Sequence, residues 1–200
     1  MFDSGISAKD LVEELKNTEI DIALDIPDET YGRWLDALQQ LLYTDVIKEQ
    51  KKITIDSPTS NPITLDGLEG SGENKIRFED IYAVYADGVQ LKRTTLTSGA
   101  IFPNTYYKDN NCLGYNTELT PITIVYLVKP ALVTTSHGNV SDTKVMVPVE
   151  FIDLVKAKLR GEAYKLANED NIAAKWLNDY NVLLETFKMW VSEKSPNFGI

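Results

Sequence analysis

The residues that could carry chemistry are few and scattered. Ser136 and His137 adjoin in Thr134-Thr135-Ser136-His137-Gly138, which would suit a serine beside its general base, but no third residue at a recognisable spacing orients the imidazole. The glycine-rich stretch 67–75 invites a phosphate cradle. A P-loop, however, needs Gly-Lys followed by Ser or Thr, and here Gly72 is followed by Glu73 and Asn74. Asp21, Asp25, Asp28 and Glu29 are oxygen donors of the kind calcium takes, without the Asp-x-Asn-x-Asp-Gly order that shapes a binding loop; they read as a solvated acidic face. Cys112 lacks a paired histidine motif and reads as a plain thiol. With one cysteine and one histidine, neither an intrachain disulfide nor a common Cys/His zinc site can be assembled. The sequence therefore assigns no catalytic residue, no metal and no cofactor, and the expected role is not enzymatic.

The elements that would position any site are clearer. Trp176, Tyr180, Leu183, Phe187 and Trp190 recur at spacings of four, three, four and three, the rhythm of one helical face, and Leu177, Leu184 and Val191 widen it. Trp176, Tyr180 and Phe187 are expected in the core. Phe151, Ile152, Val155, Leu159, Ala163 and Leu166 mark a preceding helix, and the polar turn 168–171 joins the two as an antiparallel hairpin. Near the front, Ser7 can cap a short helix to about Asn17. Pro27, with Asp28 and Glu29 behind it, opens a longer helix predicted to reach about Lys52, with Tyr31, Trp34, Leu35, Leu38, Leu41, Leu42 and Val46 as its apolar side.

Between these helical thirds the pattern changes to β-branched and alternating runs at 53–55, 63–65, 81–85, 89–93 and 122–127, with Asp87-Gly88 as a hairpin turn. The expected fold class is α+β: a helical bundle built from residues 1–52 and 148–200, interrupted by an antiparallel β domain at 53–147, a small sandwich or barrel. Loops are expected at 66–74 and 104–117, projecting as an adjustable contact surface. Three helices cannot bury two full stripes together with Leu177, Leu184 and Val191. Trp34, Trp190 and that leftover face are therefore expected to meet a neighbouring copy.

Charge narrows the partners. The net charge is −10, and residues 1–50 alone carry four bases against twelve acids. Such a surface repels phosphate, so gripping nucleic acid is disfavoured, whereas a channel wall along which DNA must slide would want this sign. The longest apolar runs fall well short of the roughly 20 residues that cross a bilayer, and 1–4 does not open a signal peptide, so no membrane association is expected.

The helical frame split by a β insertion, with Val147-Pro148-Val149-Glu150-Phe151-Ile152-Asp153-Leu154-Val155 leading into paired helices, resembles the head-to-tail adaptor (connector, or tail-tubular) proteins of tailed phages. The run 120–130, ending in Tyr126 and Pro130, looks like that family's late strand. The run 163–170, followed by Ala173-Ala174-Lys175-Trp176 and Tyr180, looks like its closing hairpin, and Leu35-Asp36-Ala37-Leu38 is similar to its first long helix. The resemblance implies a virion component forming a ring, dodecameric in that family, that binds the portal protein and receives the tail or nozzle protein. DNA would only pass through the lumen.

On that reading Asp10, Glu13, Glu14, Asp21, Asp25, Asp28, Glu29 and Asp36 are the expected lumen-facing acids. Trp34, Leu177, Leu184, Trp190, Val191, Phe198 and Ile200 are the expected subunit or portal contacts, the last two in a tail that orders on the portal. Two other readings stand beside it: another neck or tail-completion protein, and a β module gripping a glycan or peptide through Tyr106, Tyr107 and Tyr115.

Overall fold

The computed structural model describes residues 4–18, 25–68, 76–95, 102–135 and 137–194, with helices at both ends of the chain and strands between them. The chain divides into two compact units, Met1–Ile47 with Pro130–Ile200, and Lys48–Lys129.

In the helical unit, α1 spans Ala8–Thr18. Its start is set by Ser7, whose Oγ accepts the Asp10 amide at 3.0 Å while its carbonyl accepts the Leu11 amide. Leu11, Val12 and Leu15 form its buried side. Helix α2, Asp28–Leu41, follows Pro27, whose fixed φ of −60° suits a helix entry and which has no amide to leave unpaired. The helix does not run on to Lys52. It loosens into a π-helical turn, Leu42–Ile47, and stops at Lys48, whose φ of 49° lies outside the helical region. Helices α3, Ile152–Leu166, and α4, Asp170–Lys194, form the closing hairpin, with Asn168 at φ 61° in the connection. Helix α3 is the common neighbour of α2 and α4, so both ends of the chain share one core.

The stretch 130–147 does not belong to the β insertion, because α2 holds it. Asp36 accepts the Val133 amide on Oδ1 at 2.6 Å and the Thr134 amide on Oδ2 at 3.2 Å. Buried Gln39 accepts the Met146 amide at 2.6 Å, and Gln40 donates to the Pro130 carbonyl at 3.1 Å. On its other side the stretch is tied to the front of the chain, since Ala8 donates to Thr143 and Val145 exchanges amide bonds with Ser4 and Ile6. Peptide groups outside the named strands are thus satisfied in part by side chains of a helix and in part by short backbone bridges, such as that of Thr134 with Val140.

Among the described residues the β unit contains two four-stranded sheets and no closed barrel. The first orders its strands β1–β8–β3–β4, with β1 Gln50–Ile55, β3 Ile81–Ala86, β4 Val89–Gln90 and β8 Ile122–Leu127 all antiparallel. The second runs β2–β7–β6–β5, with β2 Ile63–Thr64, β5 Lys92–Arg93, β6 Thr105–Asp109 and β7 Cys112–Asn116, and β5 lies parallel to β6. Leu91 is buried where the chain passes from one sheet to the other. Period-two burial of Ile122, Ile124 and Tyr126 on β8 is the expected alternation.

The stretch 104–117 is a hairpin and not a loop. Asn110 sits at φ 55°, a conformation asparagine tolerates, and turns β6 into β7. Gly114 lies opposite Tyr107 in the ladder, and the buried ring covers it so closely that a Cβ at 114 would fall inside the ring's van der Waals surface. Gly114→Ala should therefore cost about 1–3 kcal/mol, the usual range for overpacking. Denaturant unfolding of the single variants and of Gly114→Ala combined with Tyr107→Ala checks it, because the penalty at 114 must nearly vanish once the ring is gone. An equal penalty in both backgrounds would refute the contact.

Candidate interaction surfaces

The expected acidic face is largely occupied by the chain's own partners. Lys16 bridges Asp28 at 2.9 Å and Asp25 at 3.7 Å, Glu29 pairs with Arg33, and Glu14 pairs with Lys156 of α3. The hydrogen bond that Lys16 donates to Asp28 is the main influence that lifts the Lys16 pKa above its ordinary 10.5. Asp36 is not a surface acid, since both carboxylate oxygens accept backbone amides. Asp10 and Glu13 remain exposed on α1, while Asp21 lies outside the described residues. Among the described residues no group of three or more His, Cys, Asp or Glu side chains could hold a metal ion.

The expected contact residues also divide. Val191 is buried within the subunit and is core, because the α3–α4 hairpin closes over it together with Ala173, Tyr180 and Phe187. Leu177 is half-buried against Gly161 of α3, where a Cβ would lie 2.6 Å from the leucine Cδ2. Leu184 is half-buried, and Trp34 is half-buried edge-on to Tyr31 with ring centroids 5.5 Å apart. Trp190 is half-buried in a cluster, 5.4 Å from the Phe151 ring and 6.2 Å from that of Phe187. Phe198 and Ile200 lie outside the described residues.

Trp176, expected in the core, is also half-exposed. Arg160 of α3 lies over its ring at 4.7 Å and Lys175 at 5.8 Å, so cations cover part of its surface. Lys158 lies similarly over Tyr180 at 5.3 Å, and burial pushes that phenol's pKa up. Basic side chains of α3 thus cover part of α4's aromatic side with their stems and charged heads.

What periodicity did not single out is the apolar surface turned away from these contacts. On α4, Val182 and Met189 are 61% and 65% exposed. At about 100° per residue, the nine positions from Tyr180 to Met189 carry the helix through about two and a half turns, so this pair faces away from the buried line. On α2, Ala37 is exposed and Leu41 is 47% exposed; with Trp34 they form a stripe along the flank of the helix. Val182 and Met189 were present in the sequence as apolar residues off the main stripe, whereas Leu41, expected on the apolar side of α2, is turned outward because it lies on the flank of the buried line through Leu35, Leu38 and Leu42.

In the β unit the aromatic trio is divided. Tyr106 and Tyr107 are buried and Tyr115 is half-buried; burial pushes the Tyr106 and Tyr115 pKa values up, with Arg93 pulling Tyr106 the other way. Tyr106 packs on Phe78 at 6.0 Å, and Arg93 covers Phe78 at 4.9 Å, so a grip on a glycan or peptide by all three tyrosines is not available. Lys108 pairs with Glu79, and its hydrogen bond holds that carboxyl below its ordinary 4.5. Buried Asp80 is paired with Lys129 and accepts the Arg77 amide. Cys112 is half-buried, with Thr64 Oγ1 at 4.0 Å from its sulfur. His137 lies in a turn where Gly138 donates to the Thr135 carbonyl, and Ser136 lies outside the described residues.

Comparison with known proteins returned no matching family model and no matching curated protein. Among the described residues no helix is long and apolar enough to cross a membrane.

Proposed function

We propose that the chain is a structural virion protein, a head-to-tail adaptor that assembles as a ring between the portal protein and the tail or nozzle protein, with DNA passing through the lumen. It acts in the neck or tail region of the particle, is assembled in the host cytoplasm, and has no catalytic role. The observation that carries this reading is the helical unit itself: one core built from both chain ends, interrupted by a β unit, with exposed apolar side chains left on α2, α3 and α4. A ring subunit needs such a wedge, because its two flanks must each bury surface against a different neighbour. The resemblance to tailed-phage adaptors in the helix and late-strand segments supports the same assignment and suggests twelve copies. On this reading the exposed α1 acids Asp10 and Glu13 are the remaining candidates for a wall that DNA slides past.

The test is assembly. Purified protein should be monomeric or weakly associated alone, and should form closed rings when mixed with portal rings from the same phage, as seen by native mass spectrometry and electron microscopy. A stable isolated dimer, or failure to bind the portal, would overturn the proposal.

A further inference from the structure

We infer, independently of the ring reading, that residues 130–147 form a releasable strap on α2, and that the strap and the arm Ser4–Ala8 open together while the α3–α4 hairpin stays closed. Strap, arm and α2 all belong to the helical unit. Helix α2 carries two different sides. Tyr31, Leu35 and Leu38 form its buried apolar line, whereas Glu29, Gly32, Asp36 and Gln39, at spacings of three, four and three, form a second line that meets the strap. Along it a Cβ at Gly138 would meet Glu29, and one at Gly32 would meet Thr134 and Val140. Asp36 accepts the Val133 and Thr134 amides, and Gln39 accepts that of Met146. This second line is small or polar and grips main chain, with single bridges at Thr134–Val140 and Ser7–Lys144 in place of a ladder.

The seam also holds unsatisfied groups. Gln39 is fully buried, and its Nε2 has no hydrogen-bond partner among the described residues; nor has the buried Oγ1 of Thr134, 2.9 Å from the place a Cβ would occupy at Gly32. Two polar atoms that have given up water without a replacement favour opening, because opening rehydrates both. Val133, Val145 and Val147, all fully buried, oppose it and keep the open form a minor one.

The arm depends on the strap. Ser4 donates its amide to the Val145 carbonyl at 3.1 Å and its hydroxyl to the same oxygen at 2.9 Å, Ile6 accepts the Val145 amide, and Ala8 donates to Thr143 at 2.9 Å. The Lys144 ammonium reaches the Gly5 carbonyl at 2.7 Å. None of these bonds involves α3 or α4, so arm and strap can move as one piece without unfolding the hairpin. Opening bares the polar line of α2 and removes the anchor of the residues that lead into α1.

Amide hydrogen exchange of the full chain under native conditions tests this, in the wild type and in Asp36→Asn and Thr134→Val. In the wild type Ser4, Ala8, Val133, Val145 and Met146 should share one protection factor, at least about tenfold below those of Leu159 in α3 and Phe187 in α4. Asp36→Asn, which offers one neutral oxygen to two amides, should lower protection at all five positions together by about ten- to hundredfold. Thr134→Val, which exchanges the unpaired hydroxyl for a methyl group, should raise it at all five by about fivefold or more. Equal protection of strap and hairpin in the wild type would overturn the inference. So would an Asp36→Asn effect confined to Val133 and Thr134, or a loss of protection in Thr134→Val. Should Asp36→Asn fail to fold, the wild type and Thr134→Val decide between these outcomes.

Discussion

Replacing Phe187 by alanine is expected to lower the unfolding free energy by about 3–5 kcal/mol, the range for emptying a large aromatic site in a core. Phe187 is fully buried on α4, with the Phe151 ring 4.8 Å away and Trp190 stacked at 6.2 Å. The aromatic pairing is lost along with the burial. Trp176→Ala on the same helix should cost only about 1–2 kcal/mol, because its ring is half-exposed with the Arg160 guanidinium over it. Thermal or denaturant unfolding of the two variants side by side gives the comparison. Equal losses would mean that Trp176 is as much core as Phe187, and the placement of α4 on α3 would have to be revised.

Asp36→Ala is the second large effect. Removing this carboxylate orphans two backbone amides, Val133 and Thr134, and a hydrogen bond to a charged acceptor is worth about 1.5–3 kcal/mol. Discounting for partial exposure, the expected loss is about 3–4 kcal/mol. Hydrogen exchange gives a sharper readout, since the Val133 and Thr134 amides should lose protection before the rest of the helical unit does. Unchanged exchange at both would show that α2 does not hold this segment. Charge reversal at Asp10 and Glu13, both exposed on α1, should by contrast leave stability within about 0.5 kcal/mol. The acids of the first fifty residues therefore fall into two sets, one that fixes the fold and one free to face something else.

The helices were legible because their signal is local and strong. The stripe through Tyr180 and Phe187, the Ser7 cap and the Pro27 entry each specify a helix from residues within a few turns, and all three appear where expected. The hairpin at 104–117 was also encoded, in Thr105-Tyr106-Tyr107 and Asn110, but its polar turn residues outweigh its short β-branched and aromatic runs. Gln39 carried a further hint. A polar side chain on the buried side of a leucine-rich helix must find a partner, and its oxygen takes the Met146 amide.

By itself the amino-acid order determined the α+β class, the helical ends, the β-rich middle and the concentration of acid at the front. It could not determine which acids stay exposed, which stripe residues become core, or that 130–147 joins the helices. Those outcomes depend on contacts between residues about 100 positions apart, such as Asp36 with Val133 and Gln39 with Met146, which leave no periodicity to read. A helix has more apolar flank than one neighbour can cover. Only the tertiary structure decides that Val191 lies inside while Met189 remains outside.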